Sequence, residues 1–139
     1  MTDSFPPFGG IHHLNLTVTD PDRSADWYVD VLGFERGWQM PDVEGRGRKV
    51  VLTHPHEPFR LVLTGHSAGS GDQFSEFRTG LDHFALSVPD RSVLEAWVER
   101  LDKQGVAHSE IKEGATGWLI TFRDPDNVQL ELYTLTKDS

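Results

Sequence analysis

Apolar and polar residues alternate from His13 to Val18 (His-Leu-Asn-Leu-Thr-Val) and again from His83 to Val88 (His-Phe-Ala-Leu-Ser-Val), the period of a half-buried strand. Leu14, Leu16 and Val18 then share one face, and His13, Asn15 and Thr17 share the other; His83, Ala85 and Ser87 do the same in the second segment. A shift of 70 residues lays one segment on the other, placing His83 on His13, Asp90 on Asp20 and Trp97 on Trp27. An internal repeat of this length sets the architecture before any single residue does.

Each strand runs into an Asp-Pro or Pro-Asp turn whose Asp or Ser can cap a helix. In the helices that follow, Trp27, Val31 and Leu32, then Leu94, Trp97, Val98 and Leu101, recur at helical spacing, so both tryptophans are expected as core anchors. Gly33 and Gly105 are expected as the C-terminal stops. Short strand-like runs separated by turn residues come next: RGWQM, KVVLTH and FRLVLTG in the first copy, AHSEI, GWLITFRD and VQLELYTL in the second. The pattern predicts an α+β fold in which one domain, 1–139, contains two βαβββ modules, 11–66 and 80–135, joined by a linker, 67–79.

The length suits one domain, which buries roughly two-thirds of the surface of its unfolded chain. The 37% apolar content includes no window approaching the ~20 consecutive apolar residues of a membrane span, so no membrane partner is expected. A net charge of −9 and a pI near 5.1 argue against nucleic acid as a partner. The one basic cluster, Gly45 to Lys49, is interleaved with glycine and reads as a loop. The N-terminal stretch MTDSFPPFGG has neither the basic nor the apolar region of a secretory leader, so the expected compartment is the cytoplasm. No cysteine is present, which leaves His, Asp and Glu for any metal chemistry.

If the modules are related by a pseudo-twofold, His13 and His83 occupy equivalent strands and can converge on one cavity. Glu131, between Leu130 and Leu132, alternates onto the face opposite those leucines and is the best third ligand. Two imidazoles and a carboxylate form a donor set for a divalent metal with open positions. A repeated histidine paired with one acid on an apolar strand favours that reading over interior histidines satisfied by hydrogen bonds. His12 points away from His13 and is assigned a structural role, and His54, His56 and His66 lie near turns or strand ends.

These words, IHHLNLTVTDPDRSADWYVDVLGF, GLDHFALSV and FRDPDNVQLELY, resemble the vicinal oxygen chelate superfamily of glyoxalases, bleomycin-resistance proteins and extradiol dioxygenases. The resemblance runs from about Ile11 to Thr134. It implies paired modules whose sheets curl around a metal cavity, with His13, His83 and Glu131 as ligands, a small substrate chelated through vicinal oxygens, and a homodimer. One divalent ion is expected, with Fe(II) ahead of Mn, Ni, Co and Zn. Glu131 and Tyr133 are the expected catalytic residues, and Asn15, Trp118 and Phe122 the expected pocket wall.

Departures from the family pattern sort the chemistries. The resemblance implies a fourth, acidic ligand for glyoxalase I at the position symmetric to Glu131, which falls near Val62. It implies a tyrosine for ring-cleaving dioxygenases roughly where Thr121 stands, leaving Tyr133 or Tyr28 as substitutes. It implies a threonine for fosfomycin-modifying enzymes where Asn15 stands. Asn127 replaces the usual final glycine of the DPDN turn and tolerates the left-handed conformation. A dioxygenase-type reaction is placed first, because three ligands leave room for two substrate oxygens and O2. A glyoxalase-like lyase or isomerase, a fosfomycin-type transferase, an antibiotic-sequestering protein and an accessory dimerisation module are the alternatives.

Overall fold

The computed structural model describes residues 4–45 and 47–138, so Arg46 of the basic cluster lies outside the described residues. The chain divides into two compact units, Met1–Gly69 and Ser70–Ser139. In the first, strand β1 (Leu14–Thr17) leads into helix α1 (Pro21–Leu32), then β2 (Glu35–Met40), β3 (Arg48–His54) and β4 (Glu57–Gly65). In the second, β5 (Phe84–Val88) leads into α2 (Arg91–Lys103), then β6 (Lys112–Glu113), β7 (Trp118–Arg123) and β8 (Gln129–Thr134). The strand orders are β1-β4-β3-β2 and β5-β8-β7-β6, with the first pair of each sheet parallel and the others antiparallel. Each unit is therefore a βαβββ module in an α+β fold, as the repeat predicts.

Asp20 caps α1 by accepting from the backbone N–H groups of Asp22 and Arg23, with Pro21 in the first turn where its missing N–H costs nothing. Gly33, at φ 80°, ends the helix in the left-handed conformation that glycine adopts without strain. The buried stripe is Pro21, Ser24, Ala25, Tyr28, Val31 and Leu32. Trp27 sits one position off it and is only half-buried, so the expected core anchor is instead Tyr28, fully buried with its ring edge-on to Phe34. This removes Tyr28 as a substitute acid–base group.

Helix α2 is capped by Asp90, which accepts from Val93 N–H, and buries Leu94 and Leu101. Trp97 is half-buried rather than a core anchor. Its C-cap is Gln104 in the right-handed region, and Gly105, at φ 69°, takes the left-handed position one residue later. The AHSEI run does not become a strand. Ser109 N–H donates to Thr121 O, but the Ser109 hydroxyl then accepts from Thr121 N–H, so a side chain replaces the ladder. Only the bridge between His108 and Phe122 and the two residues of β6 remain.

The β7–β8 turn is built as the DPDN motif suggests. The Asp124 carboxylate accepts from Asp126 and Val128 N–H, and Asn127 stands at φ 72°. The Asn127 amide donates to Phe74 O, and Arg123 pairs with Glu76 at 2.9 Å, tying residues 74–76 of the connecting stretch to this turn. Arg123 holds the half-buried Glu76 carboxyl below its usual range.

Candidate metal centre

The two repeated histidines stand one residue ahead of their strands, His13 before β1 and His83 before β5. In each unit the preceding residue holds the ring. His83 Nδ1 lies 2.6 Å from Asp82 Oδ1, and His13 Nδ1 lies 2.7 Å from His12 Nδ1. Strand alternation would send residues 12 and 82 to the opposite face, but it does not govern positions outside the strand. Asp82 was missed in the sequence for this reason, and His12 was assigned elsewhere. The signal was available, since 12 and 82 are themselves related by the repeat.

In the tautomer whose Nδ1–H donates to Asp82, the lone pair of His83 is on Nε2, which lies 3.4 Å from Glu131 Oε1. The other Glu131 oxygen, Oε2, receives a 3.4 Å hydrogen bond from Gln129 Nε2. The Glu131 side chain is only 12% exposed, so this carboxylate is largely withdrawn from water with long contacts as compensation. Two electron-pair donors facing each other suit a cation between them. Metal bonds of about 2.1 Å place adjacent donors about 3–3.5 Å apart, so the observed spacing fits two neighbouring ligands of one divalent ion. Within each unit, among the described residues, no three His, Asp or Glu side chains converge on a metal position.

Register shows which residues accompany Glu131. Glu131 pairs with Ala85 on β5 and with Thr121 on β7, so Thr121 stands directly beside it. In the first sheet Asn15 pairs with Val62, the counterpart of the Ala85–Glu131 pair, so Val62 occupies the position symmetric to Glu131.

The structure places the three remaining candidates on the second sheet as follows. Phe122 pairs with Leu130 and is 3% exposed, placing it on the core face opposite Glu131. Trp118 alternates onto that same face, where the Arg91 guanidinium of α2 lies 4.3 Å from its ring centre. The two aromatics therefore pack with α2, and Leu119 and Thr121 are the β7 residues on Glu131's face. Tyr133 shares that face but leans across Leu119, and its phenol packs so closely on Gly114 that no Cβ fits there. Gly114 follows β6, at the edge farthest from β5, so the phenol is carried away from His83 rather than over it.

Asn15 lies on the face of the first sheet opposite Leu14 and Leu16, and its Oδ1 accepts a 2.6 Å hydrogen bond from the Thr64 hydroxyl. His54 and His56 belong to the β3–β4 turn, where His56 N–H donates to His54 Nδ1. His66 follows β4, with Nδ1 close to Gly47.

The glyoxalase/bleomycin resistance protein/dioxygenase superfamily model matches residues 10–132. The chain belongs to this superfamily. It is 29% identical over 126 residues to a catechol-2,3-dioxygenase of Bacillus subtilis, covering 88% of this chain but 40% of that protein. It is 30% identical over 136 residues to the uncharacterized protein YwkD of the same organism, covering 88% of this chain and 94% of that one. Among solved structures, a glyoxylase/bleomycin resistance protein/dioxygenase domain from Frankia sp. EAN1pec superposes with a TM-score of 0.82 at 34% identity, covering 92% of this chain and 98% of that chain. No helix among the described residues is long and apolar enough to cross a membrane.

Proposed function

We propose that this superfamily member is a divalent-metal-dependent enzyme that opens a small aromatic diol bound through its two neighbouring oxygens. The observation that carries the reading is the pairing of His83 Nε2 with Glu131 Oε1 at 3.4 Å, each group oriented by a further side chain. His13 is the third ligand by its place in the repeat and by the matching restraint from His12. The similarity to a catechol-2,3-dioxygenase over most of this chain supports the reaction type, and this chain spans about two-fifths of that protein. Modules 11–66 and 80–135 then act as one domain. The protein works as a cytoplasmic homodimer whose partner is its small-molecule substrate, and its net charge of −9 disfavours nucleic acid.

A divalent ion at His13, His83 and Glu131, Fe(II) first among Mn, Ni, Co and Zn, supplies Lewis acidity and open positions for substrate oxygens. Asp82 fixes the orientation of the His83 ring, and Gln129 holds Glu131 in one rotamer. Asn15 offers its amide to a substrate oxygen, and Thr121 gives the neighbourhood of Glu131 a small polar wall. Tyr133, packed on Gly114, takes no part in proton transfer. Val62 at the symmetric position supplies no fourth carboxylate, which sets this donor set apart from the one expected of a glyoxalase I.

The test is elemental analysis of untagged protein with His13→Ala, His83→Ala and Glu131→Ala, each checked for folding by circular dichroism, followed by oxygen uptake with catechol. About one metal per chain in the parent, lost in all three variants, with catechol-dependent uptake after iron loading, is the expected result. A parent that binds no metal after anaerobic loading with Fe(II), Mn(II) and Zn(II) overturns the reading.

A further inference from the structure

The cations on the strands of the first unit divide sharply in how they are satisfied. Arg36 pairs with Asp22 and Asp26 of α1, Arg48 pairs with Asp22, and Arg60 lies over the Trp38 ring at 5.3 Å. Lys49 differs from all three, because among the described residues it has neither a carboxylate within ion-pairing distance nor an aromatic ring beneath it. Its half-buried ammonium donates to the Thr64 hydroxyl at 3.0 Å, and that hydroxyl donates to Asn15 Oδ1 at 2.6 Å.

The direction of this relay decides what it can bind. An ammonium has three donors and uses one here, while Asn15, accepting through Oδ1, keeps its amide N–H groups. Both ends therefore offer donors, an ammonium at one and an amide at the other, although the central Thr64 is itself 1% exposed. Register places the relay on one face, since Lys49 pairs with Thr64 and Thr64 with Thr17. The adjoining row on that face is Asn15, Val62 and Val51, in which the two valines form an apolar floor. Donors at both ends of a relay beside an apolar floor suit a flat apolar ring that carries an anionic oxygen pair.

We propose that Lys49 and Asn15 form an anion-binding position for a carboxylate carried by the substrate's aromatic ring. Asn15 lies in β1 two residues after His13, about 7 Å along extended chain, a separation that the width of one aromatic ring spans. The substrate class is accordingly a dihydroxylated aromatic acid rather than a neutral diol. This rests on the metal reading for the diol end alone; the carboxylate end stands on the first unit's own residues.

Two experiments separate the two claims. In the first, metal-free protein is titrated with benzoate while backbone amide NMR shifts are followed. Shifts at Asn15, Lys49 and Thr64 that vanish in Lys49→Met and partly return in Lys49→Arg are expected. No shift there, or shifts that persist in Lys49→Met with unchanged melting temperature, overturns the anion position. In the second, iron-loaded protein is titrated without oxygen with 3,4-dihydroxybenzoate and with catechol. A hydrogen-bonded charge sets the expected preference for the acid at about ten-fold or more, lost in Lys49→Met without loss of metal. Equal binding of the two overturns the proposal, whereas failure of both ligands alongside a Lys49-dependent benzoate response keeps the anion position and removes the metal reading.

Discussion

Asp82 is the most exacting test of the metal centre, because it touches no substrate and is not itself a proposed ligand. Its Oδ1 lies 2.6 Å from His83 Nδ1, a short contact of the charge-assisted kind, and leaves Nε2 directed at Glu131. Replacing Asp82 by Ala frees the ring to turn and to take the other tautomer, which puts N–H where the metal needs a lone pair. Partners of this kind are worth about 10–100-fold in metal affinity, or about 1.4–2.7 kcal/mol. Asp82 is mostly exposed, so folding stability should change little while affinity falls. The assay is competition of Co(II) or Zn(II) between protein and a chromophoric chelator, with thermal melts of the metal-free proteins alongside. Asp82→Asn, which keeps an oxygen acceptor but no charge, should fall between parent and Asp82→Ala. Unchanged affinity in Asp82→Ala, with His83→Ala abolishing binding, would show that the Asp82 contact does nothing for the ligand and refute the orientation argument.

Gly114→Ala should lower stability by about 1–3 kcal/mol, because the new Cβ overlaps the Tyr133 phenol and the Leu119 side chain. Denaturant unfolding measures it, and in a Tyr133→Leu background much of the cost should disappear; an equal cost in both backgrounds would place Tyr133 elsewhere. His108 provides a pH test. Its Nδ1 lies 2.6 Å from Ser109 O and its Nε2 2.7 Å from Asp102 Oδ1, so both ring nitrogens face acceptors and the imidazolium is favoured, raising its pKa above 6.5. A raised folded-state pKa gives stability that is complete below the unfolded value and is lost as pH rises through the folded one. Melting temperature should therefore fall over that window more steeply in the parent than in His108→Gln, and parallel curves would contradict it.

Much of the architecture was legible because the chain states it twice. Period-two alternation and capped helices at a constant offset gave both modules, and the only strand lost was AHSEI, where the Ser109 hydroxyl substitutes for a backbone ladder partner. The aromatic positions were less legible. Helical spacing alone cannot tell Trp27 from Tyr28, since one stands four residues before Val31 and the other three before Val31 and four before Leu32, and Tyr28 took the core because it faces Phe34. The face that Trp118 and Phe122 occupy was not legible for another reason. Strand alternation gives two faces but not which one carries the helix, and only the pairing of Phe122 with Leu130 and the Arg91 contact of Trp118 assign them to the side of α2. Glu131 was readable because it interrupts a run of leucines, whereas Asp82 and Lys49 have no such frame.

The repeat also explains why one unit carries the acid and the other does not. Asn15–Val62–Val51 and Ala85–Glu131–Thr121 are equivalent rows of two equivalent sheets, so position 62 is the counterpart of position 131. In the second unit the row pairs a small residue, Ala85, with the acid, and Gln129 and His83 stand by to hold it. In the first unit the acid's place is apolar, and polarity moves one row on, to Lys49 and Thr64, with Asn15 joined to them by a hydrogen bond. A carboxylate at position 62 would pair with Lys49 and consume the cation that the substrate is proposed to use. Under the proposed function the duplicated sheets divide the work, with an acid for the metal in one and donors for an anion in the other. Val62→Glu is the substitution that should erase the division, raising metal affinity where His13 contributes and abolishing the preference for 3,4-dihydroxybenzoate over catechol. Retention of that preference in a folded Val62→Glu protein would show that Lys49 does not meet the carboxylate.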